Sequence, residues 1–295
     1  MNGFFNVLKP PGMTSSQVVG FVRRLIDGEK AGHAGTLDPQ AAGILPVMAG
    51  KAARLFDYLV DKQKAYVAEI AFGAATDTQD AQGKVTEWGD QYPTAAQVQA
   101  ILPKFMGQVM QAPPSYSAIK QNGQRLYDLA RKGELVQTQP RLIQVDDISL
   151  GVETENHGMM LHIRCGKGTY VRTICHDIGQ ALSCPSHMRY LLRTKSGVFT
   201  LENAYTLEEL QAAKEAGHLQ ECLLPMDLPL KHLPIGNVPP SLAVVCRNGG
   251  QMPISVFPDL LDIAESTPVR LYLNDVFMGI AQRRESTIAF RAMVG

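Results

Sequence analysis

Apolar positions along this chain switch between a period near 3.6 and a period of two, and the switches mark its elements. After the turn Lys9-Pro10-Pro11-Gly12, residues Val18, Val19, Val22, Leu25 and Ile26 recur at helical spacing behind the N-cap residues Thr14 and Ser15. A helix over 16–26 is predicted. The stretch 50–60 reads as a second helix and 94–105 as a third, capped by Thr94. Residues 65–72, 141–150 and 158–165 alternate as strands, 168–182 reads as a helix, and 196–200 returns as a strand.

Short connections between successive strand-like segments predict an α+β fold, with a mostly antiparallel mixed sheet flanked by helices. The segment 225–240 concentrates prolines, which favour extended and poorly packed connections. It divides the chain into a domain of 1–232 and a small β-rich domain of 233–295. No period of 20–50 residues repeats, which argues against solenoids and propellers.

Of 295 residues, 45% are hydrophobic and 19% charged, an ordinary globular composition. The start lacks the basic head and apolar run of an export signal, and no apolar stretch is long enough to span a bilayer. Five cysteines form an odd set without a CxxC pair, so a reducing cytoplasm is expected rather than a disulfide framework or a zinc site. Cys184 and His187 alone have a spacing that could offer two metal ligands, and no metal is expected.

The 28 basic and 28 acidic residues cancel, but they are segregated. Residues 164–195 hold six bases (Arg164, Lys167, Arg172, Arg189, Arg193, Lys195) against Asp177, whereas 196–230 carry a net charge of −5. Residues 111–142 carry +3. If the two basic segments meet, they form one positive face able to neutralise phosphates on a neutral molecule.

The loop 32–47 gathers three glycines and Pro39 around a single carboxylate, Asp38. Such a loop lets backbone approach a ligand closely, yet a simple turn has the same composition. It ends in neither Gly-Lys-Ser/Thr nor GxGxxG and is therefore no phosphate cradle.

The segments KPPGMTS, GHAGTLDPQAAGILPV, KAYVAEIAFGAATDTQDAQG, PPSYSAIKQNGQRLYDLARKG and CGKGTYVRTICHDIG occur in this order over residues 9–179. Together they closely resemble the TruB family of tRNA pseudouridine synthases, firmly over about 230 residues and loosely over the last 60. The resemblance implies the pseudouridine synthase fold with a PUA-like RNA-binding tail, and an enzyme that flips and isomerises the T-loop uridine (position 55) of tRNA.

It also implies that Asp38 is the catalytic aspartate, acting either as a nucleophile or by taking a proton from the ribose so that a glycal forms. Tyr66 is then the active-site tyrosine that stacks on the base, and Arg172 the guanidinium that orients the carboxylate. Tyr170 and Leu191 line the pocket, and His33 contacts the RNA. Lys9 and Lys64 are phosphate or loop contacts. Ala65 departs from the threonine or glutamate common beside the tyrosine. A cofactor-free monomer needing no protein partner is expected. The competing readings are an RNA-binding or tRNA-folding protein with the same groove, and a guide-RNA enzyme that depends on partner proteins.

Overall fold

The computed structural model describes residues 1–59, 63–114, 116 and 138–295, with the backbone of 120–121 and 124–125. Among the basic residues expected near 111–142, Arg131, Lys132 and the side chains of Lys120 and Arg125 lie outside the described residues. Two compact units result. The first comprises Met1–Pro39, Ile44–Asp61 and Gly197–Gly295, and the second Gln40–Gly43 and Lys62–Ser196.

In the first unit, strand β1 (Gly3–Lys9) leads into helix α1 (Ser15–Leu25), followed by β2 (Ala31–His33) and β3 (Ala42–Ala49), whose first two residues belong to the second unit. The capping side chain of α1 is Thr14, whose oxygen accepts from the Gln17 N–H while Gln17 caps the Thr14 N–H in return. Val18, Val22 and Leu25 form its buried stripe. β2 lies antiparallel on β3, with His33 opposite Val47. Phe4, Ile44, Met48, Ala52 and Phe199 make one core beneath.

The predicted helix at 50–60 is instead a 3-10 helix over Gly50–Tyr58. Its inward residues Ala52, Leu55 and Tyr58 stand three apart, which suits three residues per turn, and no side chain caps its start. A helix over Leu207–Glu215 was not foreseen.

The second unit adds β4 (Lys64–Phe72), a hairpin of β5 (Ala74–Thr76) and β6 (Val85–Trp88), helix α2 (Ala95–Ile101), and β7 (Gly107–Gln111). It continues with β8 (Arg141–Thr154), β9 (Gly158–Cys165), helix α3 (Val171–Ala181) and β10 (Ser186–Ser196). The strands run β10-β4-β9-β8-β7, all antiparallel, and β10 also pairs in parallel with Ala42 and Gly43 at the start of β3. The expected mostly antiparallel mixed sheet is found. Its central strand β10 was not predicted, because bulges at Met188/Tyr190 and Arg193/Lys195 reset its phase and a fully buried arginine, Arg193, occupies an inward position.

The C-terminal residues form a separate five-stranded sheet, as expected for a β-rich tail. It is ordered β11 (Ile235–Asn237), β13 (Pro268–Leu273), β14 (Val276–Arg284), β15 (Thr287–Met293), β12 (Met252–Pro253). The proline-rich segment before it is packed rather than loose, since Leu230 and Leu233 share a buried cluster with Leu55, Ile280, Ala292 and Val294. Arg283 bonds the Leu261, Ile263 and Glu285 carbonyls. Among the described residues no helix is long and apolar enough to cross a membrane.

Gly43 has φ +116°, and a Cβ built there would lie 2.2 Å from the Arg193 carbonyl oxygen. Gly43→Ala should therefore cost about 3 kcal/mol or more through strain and overpacking at the β3–β10 pairing. Chemical denaturation of the variant checks this.

Candidate active site

The first unit holds His33, Asp38 and Lys9, and the loop that carries Asp38 joins β2 to β3. The residues on either side of Asp38 are fixed through their backbone. The Ser15 hydroxyl accepts from the Leu37 N–H at 2.9 Å and donates to the Leu37 carbonyl at 3.0 Å. On the far side, the Pro39 carbonyl accepts from Lys9 Nζ at 2.9 Å and from the Gly12 N–H at 2.9 Å. Pro39 further restricts Asp38 itself to extended backbone. The Asp38 side chain is half-buried, and His33 is half-buried at the end of β2.

Lys9 has no exposed surface, and its ammonium also reaches the Pro10 carbonyl at 2.8 Å and the Met13 carbonyl at 2.6 Å. One of these three carbonyls, that of Pro39, belongs to the Asp38 loop. A phosphate contact would need an ammonium within reach of solvent, and here three carbonyls surround it.

The second unit holds the remaining expected residues. Tyr66 lies on β4 opposite Ile163 and Arg193, while Leu191 lies on β10 opposite Ala68. Tyr66 and Leu191 are thus diagonal neighbours on one face of the sheet, both 7% exposed. Lys64, half-buried, shares that face two residues before Tyr66.

Tyr170 is the N-cap of α3, and its backbone is gripped at both ends by one side chain. Its N–H donates to Gln111 Oε1 at 2.8 Å, and its carbonyl accepts from Gln111 Nε2 at 3.1 Å. One turn of helix then buries Arg172 to 5% exposure. Within this unit its guanidinium donates to the Tyr116 carbonyl, to the Thr78 carbonyl and to Asp80 Oδ2 at 3.4 Å, and stands 5.8 Å from the centre of the Tyr170 ring. Asp80 is itself fixed, because Oδ1 accepts from the Thr78 hydroxyl at 2.6 Å and the Gln82 N–H at 2.9 Å. The Thr173 hydroxyl donates to Gln79 Oε1 at 2.7 Å and anchors the same loop.

Asp80 and Gln111 are not singled out by the sequence, and Ser15 is singled out only as an N-cap. The run Thr-Asp-Thr-Gln-Asp carried the only signal, since an aspartate capping its own loop two residues on is a common turn device.

The expected positive face is smaller than the charge count of 164–195 implies. Arg172 and Arg193 are buried, Arg189 pairs with Glu69 at 2.8 Å, and Arg164 lies 3.6 Å from Asp147. Cys184 Sγ donates to the Gln91 carbonyl and His187 Nδ1 lies 2.8 Å from the Ala74 carbonyl. Burial pushes the Cys165 thiol up to about 11. Among the described residues no three His, Cys, Asp or Glu side chains are grouped to hold a metal ion.

Residues 23–171 match the family model described as TruB family pseudouridylate synthase (N terminal domain). Residues 172–231 match that of the tRNA pseudouridylate synthase B C-terminal domain. A tRNA pseudouridine synthase B of Alkaliphilus oremlandii is 38% identical over 279 residues, covering 95% of this chain and 92% of the relative. That of Bacillus subtilis is 40% identical over 255 residues, covering 84% and 82%. A solved chain from a Cbf5-Nop10-Gar1 complex superposes with a TM-score of 0.72 at 26% identity, covering 99% of this chain and 84% of that one.

Two substitutions test the clamp on the Asp38 loop. Ser15→Ala strands the buried N–H and carbonyl of Leu37 and should cost about 1–3 kcal/mol. Lys9→Met removes the cation from three carbonyls and should cost at least about 3 kcal/mol. Both are read from thermal unfolding, and Lys9→Met is expected to be the worse.

Proposed function

Because the chain belongs to the TruB family of pseudouridylate synthases, we propose that it isomerises the T-loop uridine of tRNA to pseudouridine with Asp38 as the catalytic carboxylate. The observation that carries this reading is the clamp on Leu37 and Pro39, which fixes one carboxylate on a loop while leaving its side chain half-buried. A reacting group held in one orientation avoids the entropy cost of finding it.

The reaction breaks the N-glycosidic bond, turns the uracil within the site and rejoins the sugar through C5. It is redox-neutral and needs no cofactor. In one route Asp38 adds to the substrate as a nucleophile, and in the other it accepts the ribose C2′ proton. Arg172 is the guanidinium that the family resemblance assigns to the site, and within its own unit Asp80 holds it. Tyr66 offers the flipped uracil a stacking face, with Leu191 and Tyr170 as pocket walls. His33 and Lys64 contact the RNA.

The protein is read as a monomer that acts without partner proteins. In support, the relatives that match most of the chain at 38–40% identity are named tRNA pseudouridine synthase B, whereas the Cbf5 chain matches at 26%. Residues 233–295 are read as a small PUA-like RNA-binding domain. A reducing cytoplasm suits five buried, unpaired thiols.

The deciding measurement is pseudouridine formation in a T-stem-loop hairpin incubated with the pure protein. Wild type should modify the bare hairpin, and failure without added partners would overturn the stand-alone reading. Asp38→Asn should lose activity on the order of 10³-fold or more while binding the hairpin as before. Unchanged product formation would remove Asp38 from its role. Arg172→Lys should lower kcat by about 10²-fold, because an ammonium cannot reproduce the planar fork.

A further inference from the structure

The second unit contains a cleft of about 370 Å³ that none of the residues above explains. That volume lies in the range of small-ligand sites. Its floor is made of glycine and alanine, among them Gly73, Gly89, Ala71 and Ala74. Gly73 has φ +97°, and a Cβ there would come within 2.7 Å of the Tyr92 ring, so bare backbone is what keeps the space open.

One wall is a built aromatic stack. The hairpin joining β8 to β9 turns through Asn156 and His157, at φ +55° and +58°, and presents the His157 ring flat on Tyr92, with centroids 3.5 Å apart and planes 13° from parallel. Arg189 staples that turn by donating to the Glu155 and Asn156 carbonyls at 3.1 and 3.2 Å. Trp88, the single tryptophan of the chain, also lines the cleft with 77% of its surface exposed, as does Val85. His187 completes the lining, and its Nδ1 must carry the proton given to the Ala74 carbonyl, so a neutral ring offers Nε2 as an acceptor.

We propose that this cleft binds an unstacked nucleotide of the RNA substrate, its base lying against Trp88. The lining contains no carboxylate, one guanidinium and two imidazoles, which suits an RNA strand. Large exposed aromatic surface beside a cleft is costly unless something covers it, and every base has a π-face to offer. The cleft also lies on the strand that carries Tyr66. Phe72, which lines it, is six residues further along β4, about 20 Å at ~3.3 Å per residue. That is about six stacked nucleotides at ~3.4 Å each, so one hairpin can reach both places. The charge of Arg189 is balanced by Glu69, so affinity comes from stacking more than from phosphate neutralisation.

The inference rests on the RNA-modifying reading, and its test separates the two. Because Trp88 is the single tryptophan, the emission of the intact protein reports this cleft alone. Titration with a T-stem-loop hairpin should quench it, saturating at the same RNA concentration as binding measured by filter retention. Trp88→Ala should raise KM about tenfold or more, with much the smaller effect on kcat, and by a similar factor at low and moderate salt. Trp88→Phe, which keeps a ring, should recover most of that loss. Constant emission at saturating hairpin, or an unaltered KM in Trp88→Ala, would overturn the inference and leave the cleft to a protein partner. If wild type makes no pseudouridine, the catalytic reading fails on its own, and quenching still reports whether RNA enters the cleft.

Discussion

A lysine ammonium with no exposed surface is tolerable only if its protons are all met, and Lys9 meets that condition through carbonyls of Pro10, Met13 and Pro39. Two of these belong to the turn that starts α1, and the third follows Asp38. The turn and the loop therefore cannot form independently, because either alone leaves the cation short of acceptors. Ser15 repeats the device from the first turn of α1, closing both backbone groups of Leu37. The backbone on either side of Asp38 is thereby set by bonds that Ser15 and Lys9 make to its neighbours.

The second unit treats Arg172 in a similar way. Its guanidinium is positioned by Asp80, by two carbonyls and by the helix start that Gln111 secures through the backbone of Tyr170. A buried ion pair adds little net stability, since desolvation offsets attraction, but it does fix geometry. Asp80 at 3.4 Å, itself bonded by Thr78 and Gln82, is suited to the second task. Burial of this kind also explains why charge counts along the chain overstate its positive surface.

The sequence is legible where one element explains itself. The boxes at Thr14 and Thr94, the alternation in β4, β8 and β9, and the β-rich tail all follow from nearest neighbours in sequence. The failures lie where distant residues decide. Of the two N-cap candidates, Thr14 caps the helix and Ser15 is spent on Leu37, twenty-two residues away. β10 lost its period to two bulges and hid a buried arginine, and Gly43 is glycine because Arg193 of that strand leaves no room for a Cβ. Asp80 gave no sign of its partner, since only the fold brings it to Arg172. The proline-rich stretch misled for the opposite reason: Leu230 and Leu233 find partners in Leu55 and Ile280, far away in sequence.

The identity of each buried cation follows from the shape of its acceptor set. Around Lys9 three carbonyls converge on one point, which suits an ammonium whose three N–H bonds fan out from a single nitrogen. A planar guanidinium, wider and rigid, would have to displace the turn to address them. Around Arg172 the acceptors are spread, with Tyr116 on one terminal nitrogen and Thr78 and Asp80 on the other, and a point charge could not span them. An exposed lysine or arginine that merely attracts phosphate faces no such demand, because solvent fills whatever the partner leaves. Strict choice between the two side chains is therefore a mark of cations that build the site, and looseness in that choice a mark of cations that only draw RNA toward it.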